Sequence, residues 1–344
     1  MKRVHRLIWG VCLLMQACVS SNDNSVNPSE EVPVSVVDVI QAKYPSATAM
    51  KFSMLEEGKV YQADFDMDGK NVSVIASRTE ILNAFEESGQ QNITSVNTKL
   101  NGLGMEKGNL SGLKTLMAPG QAERQIAQYD LRGTNYRLTL HQSGYVTITT
   151  RQLTYETKSL DDLPEKIKAY IQGRNKPNIA YLGQLPLLEK PLKEYLADKN
   201  EFTFSSCAVY SLPDKSKQYQ VFVKYYGITD LPLIFNENSE LIWVGSFNRL
   251  ESLVNFDDLS GGSSNVSKDD LSYFTSQFKA SNELKDYPLD GPISRGQASV
   301  NVYDNQKGFE FRLSKPSLDT DESWVLRYDA GRKLIDSYYS GQRR

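Results

Sequence analysis

Strands in which polar and apolar residues alternate, joined by short polar turns, dominate this chain of 344 residues. The clearest stretches are KVYQADFDMDGKNVSVIAS, NYRLTLHQSGYVTITT and FEFRLSKPSLDTDESWVLRYDAGRKLIDSYY. Alternate side chains of a strand lie on opposite faces of a sheet, so this pattern predicts antiparallel strands with one buried face. Pairs such as Asp68-Gly69 and Ser143-Gly144 tolerate the geometry of tight turns and connect the strands.

Helix signals are fewer, and each clear one precedes strands. Apolar residues recur at helical spacing in SVVDVIQAKY, LPEKIKAYIQG and SKDDLSYFTSQFKAS. Pro45 ends the first of these segments, and Ser267 caps the third. PLLEKPLKEYLADK adds a further helix around 188–198. This order predicts an α+β fold of repeated units, each with one helix packed on a mainly four-stranded antiparallel sheet. The predicted divisions are two units in 35–158 with the second degenerate, one in 159–258, a Gly/Ser-rich linker at 259–266 and a C-terminal unit in 267–344.

The N-terminal segment MKRVHRLIWGVCLLMQAC has a basic start, a short apolar run and Ala17 directly before Cys18. The run is too short to span a bilayer and is typical of an export signal. Its end resembles a bacterial lipobox, which predicts a signal peptide at 1–17 and a lipid on Cys18; ordinary secretion with cleavage near Ala17 is the alternative. The polar segment 18–34 is predicted to be a flexible tether. We therefore expect a lipid-anchored protein of the cell envelope, at the outer membrane.

The charge balance argues against a nucleic-acid partner. The signal segment contains three of the 39 Lys and Arg residues and no acid, so the remaining chain carries 36 cations against 42 anions, a net charge of −6. Nucleic-acid binding needs concentrated positive charge. After processing, Cys18 and Cys207 remain, which excludes an intrachain disulfide framework.

The stretch DFDMDGKNVSVI, residues 64–75, begins like a calcium-binding EF-hand loop. The twelfth position of such a loop is a bidentate Glu, whereas here it is Ile75. As a strand, the same stretch places Asp64, Asp66 and Asp68 on one polar face. We therefore predict a hairpin and no metal site.

The other candidates for chemistry are isolated. GLGMEKG (102–108) lacks the buried strand and the uninterrupted helix of a dinucleotide site. His141 is predicted to be a surface turn residue and Cys207 an inert buried thiol. Paired acids such as Asp161 and Asp162 are predicted to be solvated caps. The sequence thus predicts no catalytic residue and no cofactor.

Aromatic residues are the remaining signal, with 19 Tyr in the chain. Exposed Tyr and Trp on a sheet can anchor a protein partner or stack on a sugar. The candidate binding surface consists of aromatics on or beside predicted strands, namely Tyr225, Tyr226, Trp243, Tyr338 and Tyr339. Structural aromatics at hairpin edges are the alternative interpretation.

Three parts of the chain resemble PepSY-like, beta-lactamase-inhibitor-like domains of lipoproteins in Bacteroidetes-type bacteria. They are AKYPSA (42–47) with the Y-x-A-x-F strand and DGK turn that follow it, LPEKIKAYI, and WVLRYDAGRKLIDSYY. The resemblance implies a helix against a four-stranded antiparallel sheet and a binding or inhibitory role outside the cytoplasm. We therefore expect a non-enzymatic envelope lipoprotein that binds an extracytoplasmic protein. A glycan-binding lipoprotein is the first alternative, and a carboxylate- or Ser/Lys-based hydrolase is the second.

Overall fold

The computed structural model describes residues 32–173, 202–225, 230–245, 267–287, 296–303 and 306–343 of the protein. The α-helices of these ranges are α1 (Val34–Lys43), α2 (Gln90–Leu100), α3 (Glu165–Gln172) and α4 (Lys268–Ala280).

The strands form two antiparallel sheets, one of twelve strands and one of five. The first eight strands are β1 (Lys51–Glu56), β2 (Val60–Met67), β3 (Lys70–Ala76), β4 (Ile81–Glu87), β5 (Asn109–Met117), β6 (Arg124–Leu131), β7 (Thr134–Leu140) and β8 (Val146–Thr149). The next five are β9 (Gln152–Thr157), β10 (Phe202–Ser211), β11 (Lys217–Tyr225), β12 (Asp230–Asn236) and β13 (Leu241–Val244). The last four are β14 (Gly296–Tyr303), β15 (Gln306–Pro316), β16 (Thr320–Tyr328) and β17 (Leu334–Arg343).

The order of the larger sheet is β1-β2-β3-β4-β5-β6-β7-β8-β17-β16-β15-β14, and that of the smaller is β13-β12-β11-β10-β9. The predicted fold class, repeated units of one helix on a mainly four-stranded sheet, is therefore wrong: the protein is mostly β, and its strands merge into large sheets. Strand β4 pairs with β5, with Ala84 opposite Met117, and β8 pairs with β17, with Thr149 opposite Tyr338. These pairings satisfy backbone groups that separate four-stranded sheets would leave at open edges. The domain divisions stay a prediction, and the proposed linker lies outside the described residues.

Local signals predicted three of the four α-helices in the ranges that the structure describes. Helices α1, α3 and α4 occupy the predicted segments, and the hydroxyl of Ser267 accepts a hydrogen bond from the Asp270 backbone N–H at 3.2 Å, as an N-cap should. Helix α2 was missed, because the sequence ITSVNTKL is largely polar and carries three β-branched residues in its first half. The helix predicted around 188–198 lies outside the described residues.

The hairpin predicted at the acidic stretch is confirmed. Asp66 of β2 pairs with Asn71 of β3, and the turn residues Asp68 and Gly69 have φ angles of 52° and 74°. Positive φ at both central positions suits the right-handed twist of a tight hairpin, and Asp and Gly tolerate it best. Asp66 is exposed, while Phe65 is buried beneath the sheet.

Helices α1, α2 and α4 cover one face of the twelve-stranded sheet. Val36 and Ile40 of α1 pack on β2, β3 and β4, whereas Val96 of α2 and Phe274 of α4 share a core with strands β5 to β8 and β15 to β17. The ring centroids of Phe274 and Phe311 are 4.6 Å apart. Burying this apolar face is the main source of stability here, at about 1.5–3 kcal/mol for each large side chain.

The opposite face of the large sheet meets the five-stranded sheet. Near β2 to β5 the junction is apolar: Leu82 and Phe85 of β4 share a core with Ile167 of α3 and Val221 of β11. Near β7, β8 and β15 to β17 the same junction is polar and charged. That polar part of the junction contains the candidate site.

Candidate functional site

Alternation along the strands creates a charged face on the twelve-stranded sheet, opposite the face that carries the aromatic core. Leu138, Phe311 and Leu326 point into the core shared with α2 and α4. Their neighbours Arg137, Arg312 and Arg327 consequently lie on the opposite face, toward the five-stranded sheet. The alternation was visible in the sequence, but nothing in the sequence indicated that a second sheet would cover these arginines.

Strand register assembles a network of alternating charges on this face. Arg327 of β16 lies directly opposite Glu310 of β15 on one side and Asp336 of β17 on the other. Its Nε donates to Glu310 Oε2 at 2.9 Å, and its Nη1 donates to Asp336 Oδ2 at 2.7 Å. Arg312 Nε donates to the second oxygen of Glu310 at 2.9 Å. Arg151 Nε lies 2.8 Å from Asp336 Oδ1, an ion pair in which the N–H does not point at that oxygen.

The ion pairs of this network shift the pKa values of the residues that form it. Burial alone would raise the pKa of Glu310, but the Arg327 and Arg312 guanidinium groups outweigh burial and hold that pKa below its usual value. Burial alone would lower the pKa of Arg327, and the carboxylates of Asp336 and Glu310 raise it above its usual value. These groups are therefore ionised across the physiological range.

The five-stranded sheet contributes polar and aromatic partners from its facing side. Arg151 Nη1 donates to Gln218 Oε1 at 2.9 Å and to Gln220 Oε1 at 3.3 Å. The Trp243 ring of β13 lies under Arg327, with its centroid 4.8 Å from the guanidinium carbon. The Tyr210 ring of β10 lies 4.2 Å from the Arg151 guanidinium carbon. Guanidinium groups thus stack on aromatic rings at the junction of the two sheets.

Between these layers lies a cavity of about 380 Å³, which we call the arginine cleft. Its charged and aromatic lining residues are Arg137, Arg151, Arg312, Arg327, Glu310, Tyr210, Phe222 and Tyr338. The volume is within the range of small-ligand sites. The cleft is therefore large enough to accept a ligand group and not only a bound water.

Arg137 is the one arginine of the lining that forms no ion pair with any residue that the structure describes. Its side chain as a whole is half-buried, but Nε and Nη1 are fully buried and have no hydrogen-bond partner among the described residues. The Tyr210 ring lies 5.3 Å from its guanidinium carbon. Burial lowers the pKa of Arg137 and the nearby Arg151 cation lowers it further, whereas Tyr210 and the Glu156 carboxylate partly oppose that shift. The side chain would therefore gain from an added anion.

His141 is half-buried, not a fully exposed turn residue as the sequence predicted. Its Nε2 lies 3.3 Å from Thr147 Oγ1, and its ring packs beside Tyr145 with centroids 5.6 Å apart. Burial lowers the pKa of His141, and Arg124 and Arg137 lower it further. The imidazole is therefore neutral at neutral pH and adds no charge to this region.

Cys207 is fully buried in the core between the sheets, as predicted. Burial raises the pKa of its thiol well above the usual value, and Glu156 adds to the effect. Since the thiolate is the reactive form, the structure favours an inert thiol.

Asp162, which was predicted to belong to a solvated pair, is buried, and so is Glu322 of β16. Asp162 accepts a hydrogen bond from Thr157 Oγ1 at 2.6 Å. Glu322 accepts from the Gly104 backbone N–H at 2.8 Å and from the Tyr339 hydroxyl at 2.9 Å. These carboxylates hold segments of the fold together.

The predicted aromatic surface is dispersed. Trp243 and Tyr339 are buried, with 4% and 0% of their surface exposed, whereas Tyr338 lines the arginine cleft. The Tyr225 side chain, the whole of Tyr226 and Cys18, the predicted lipidation residue, lie outside what the structure describes. The role of these residues in binding or anchoring stays a prediction.

Within the described ranges, no three His, Cys, Asp or Glu side chains converge as ligands for a metal ion. No helix in the same ranges combines the length and the apolar character that crossing a membrane requires.

Comparison with known proteins finds partial structural neighbours. No protein-family model and no curated protein matches the chain. A proposed periplasmic protein from Bacteroides eggerthii is similar with a TM-score of 0.30 and 18% identity, over 34% of this chain and 86% of its own. A DUF2874 family protein from Bacteroides uniformis has a TM-score of 0.30 and 16% identity, over 34% of this chain and 86% of its own. A BLIP-like protein from Bacteroides fragilis has a TM-score of 0.28 and 20% identity, over 34% and 83%.

All three neighbours are Bacteroides proteins, and one of them is described as BLIP-like. They cover about a third of the chain, and TM-scores near 0.3 are too low to assign a fold or a function to it.

Proposed function

We propose that the protein is a non-enzymatic binding module of the cell envelope, held at the membrane by a lipid on Cys18, and that its arginine cleft receives an acidic group of a protein partner. The N-terminal signal and the cysteine that follows it support the location. The observation that carries the binding role is Arg137, a cation in a ligand-sized cavity with two buried nitrogens that have no acceptor among the described residues.

A guanidinium in that position is costly unless an anion joins it. An unsatisfied buried donor costs about 1–3 kcal/mol, and more when the group is charged. Arg327, by comparison, is paired with two carboxylates. The contrast between the paired Arg327 and the unpaired Arg137 favours a ligand site over a purely structural network.

The aromatic rings of the cleft favour an acidic group over a neutral sugar. Tyr210 is stacked with Arg137 and Arg151, and Tyr338 lies 5.7 Å from the Arg327 guanidinium carbon. Ring faces that support guanidinium groups are not free to stack on a sugar. The rings therefore position cations for an anion.

Affinity capture from the detergent-solubilised envelope of the source bacterium tests this proposal. The bait is the lipidated protein with a C-terminal tag, compared with Arg137→Gln and with Arg78→Gln, an exposed arginine in the β3–β4 turn. We expect a protein that wild type and Arg78→Gln recover and that Arg137→Gln does not. Equal recovery by all three baits would contradict a binding role for the cleft.

A further inference from the structure

The charge balance of the arginine cleft defines the kind of anion that fits. Four guanidinium groups line it, from Arg137, Arg151, Arg312 and Arg327. Two carboxylates contact them, from Glu310 in the lining and Asp336 behind it. Among the described residues of this cluster, two positive charges are therefore left over, which a ligand with two negative charges would neutralise.

The donors still available need several acceptor oxygens. Nε of an arginine carries one N–H and Nη1 carries two, and on Arg137 none of these has an acceptor in the described part of the chain. Arg312, whose Nε is used by Glu310, has 40% of its side chain exposed at the rim. Chloride has no fixed array of acceptors, whereas phosphoryl and carboxylate groups offer oxygens that match guanidinium geometry.

We infer that the arginine cleft binds a compact oxyacid dianion, either a phosphoryl group or a pair of neighbouring carboxylates, with Arg137 as its anchoring residue. This inference rests on the proposed function and specifies the acidic group that the partner presents. The buried, paired residues Arg151 and Arg327 hold the positive potential in place. Arg137 and Arg312 supply the donors that contact the ligand.

Calorimetric titration of the purified full-length protein in detergent tests the inference with defined probes. Sodium phosphate and sodium succinate supply the two dianions, and sodium acetate supplies a monoanion. All are measured near pH 7.5, with sodium chloride holding the ionic strength constant. We expect saturable binding of phosphate or succinate, at least about tenfold tighter than acetate, because a second charge is neutralised in the cleft. Whichever dianion binds more tightly identifies the source of the anion.

Three variants locate the site. Arg137→Gln should weaken dianion binding at least about tenfold, and Arg78→Gln should leave it unchanged. Arg137→Lys keeps the charge but not the planar array of donors, so we expect an intermediate loss. If circular dichroism shows that Arg137→Gln does not fold, Arg312→Gln, a variant of the exposed rim residue, replaces it in the titration. This variant should also weaken dianion binding. Unchanged dianion affinity in the folded Arg137→Gln or Arg312→Gln protein would overturn the inference, as would equal binding of acetate and succinate.

The two proposals can fail separately. Arg137-dependent capture of a protein without measurable phosphate or succinate binding would refute the dianion and leave the binding module standing. Dianion binding that requires Arg137, with no protein captured, would refute the protein partner and leave the anion site.

Discussion

Asp336 is the residue on which the charge network should depend most. It is 3% exposed and lies between Arg151 Nε at 2.8 Å and Arg327 Nη1 at 2.7 Å. Asp336→Asn keeps the shape of the side chain but leaves two buried guanidinium groups without this carboxylate. Breaking one buried ion pair from one side costs about 3–5 kcal/mol, a large part of a typical total of about 5–15 kcal/mol.

Equilibrium unfolding in urea, followed by circular dichroism and tryptophan fluorescence, measures this cost. With a slope of about 3 kcal/mol per molar urea, a loss of about 4 kcal/mol moves the midpoint down by more than about 1 M. Asp66→Asn is the matched control, since Asp66 is exposed on β2, and it should change stability by less than about 0.5 kcal/mol. The same Asp336→Asn protein should bind phosphate more tightly than wild type, because one negative charge beside the cleft is gone.

A loss of less than about 1 kcal/mol for Asp336→Asn would refute the reasoning, because it would mean that the two arginines do not depend on this carboxylate for compensation. Weaker phosphate binding in a variant that still folds would contradict the electrostatic account of the cleft.

Three other outcomes are expected. Because the folded-state pKa of Glu310 is depressed, its contribution to stability is present above the unfolded pKa of about 4.3 and is lost as the pH falls toward the folded value. Glu310→Gln should therefore flatten the fall in urea midpoint between about pH 5 and about pH 3. An unchanged dependence of the midpoint on pH would contradict this reasoning. Tyr219→Phe removes a 2.8 Å hydrogen bond from β11 to Glu56 of β1 and should cost about 2 kcal/mol in the same urea assay, whereas no measurable cost would show that this contact does not help hold the sheets together. Cys207 should resist iodoacetamide in the folded protein and react once urea unfolds it, as peptide mapping by mass spectrometry would show; modification of the native protein would contradict its burial.

Local patterns predicted the elements that depend on neighbouring residues. Helix α1 and the β2–β3 hairpin follow from apolar spacing, a stop at Pro45 and the turn residues Asp68 and Gly69. Helix α2 did not follow, because a polar segment between two strands carries weak periodicity and becomes helical by packing residues such as Val96 on the sheet.

The site was harder to predict from the sequence than the fold. The sequence predicted a binding surface of exposed aromatics, yet Trp243 and Tyr339 are buried and Tyr338 belongs to the cleft. Arg137, Arg312 and Arg327 are ordinary polar residues in alternating strands, and Arg151 lies between β8 and β9. They became a cluster only because β8 pairs with β17, which brings residues near position 137 beside residues near position 327.

By itself, then, the sequence determined the alternation, the turns, three of the helices and the acidic face of β2, since each depends on residues close together in the chain. The tertiary structure alone decided that the strands merge into sheets of twelve and five, because edge pairing depends on which distant strands meet. It also decided that Arg137 has no ion-pair partner in the described part of the chain. Whether such an arginine is exposed or covered depends on distant residues: the ring that lies over Arg137 belongs to Tyr210 of β10, more than 60 positions away in the chain.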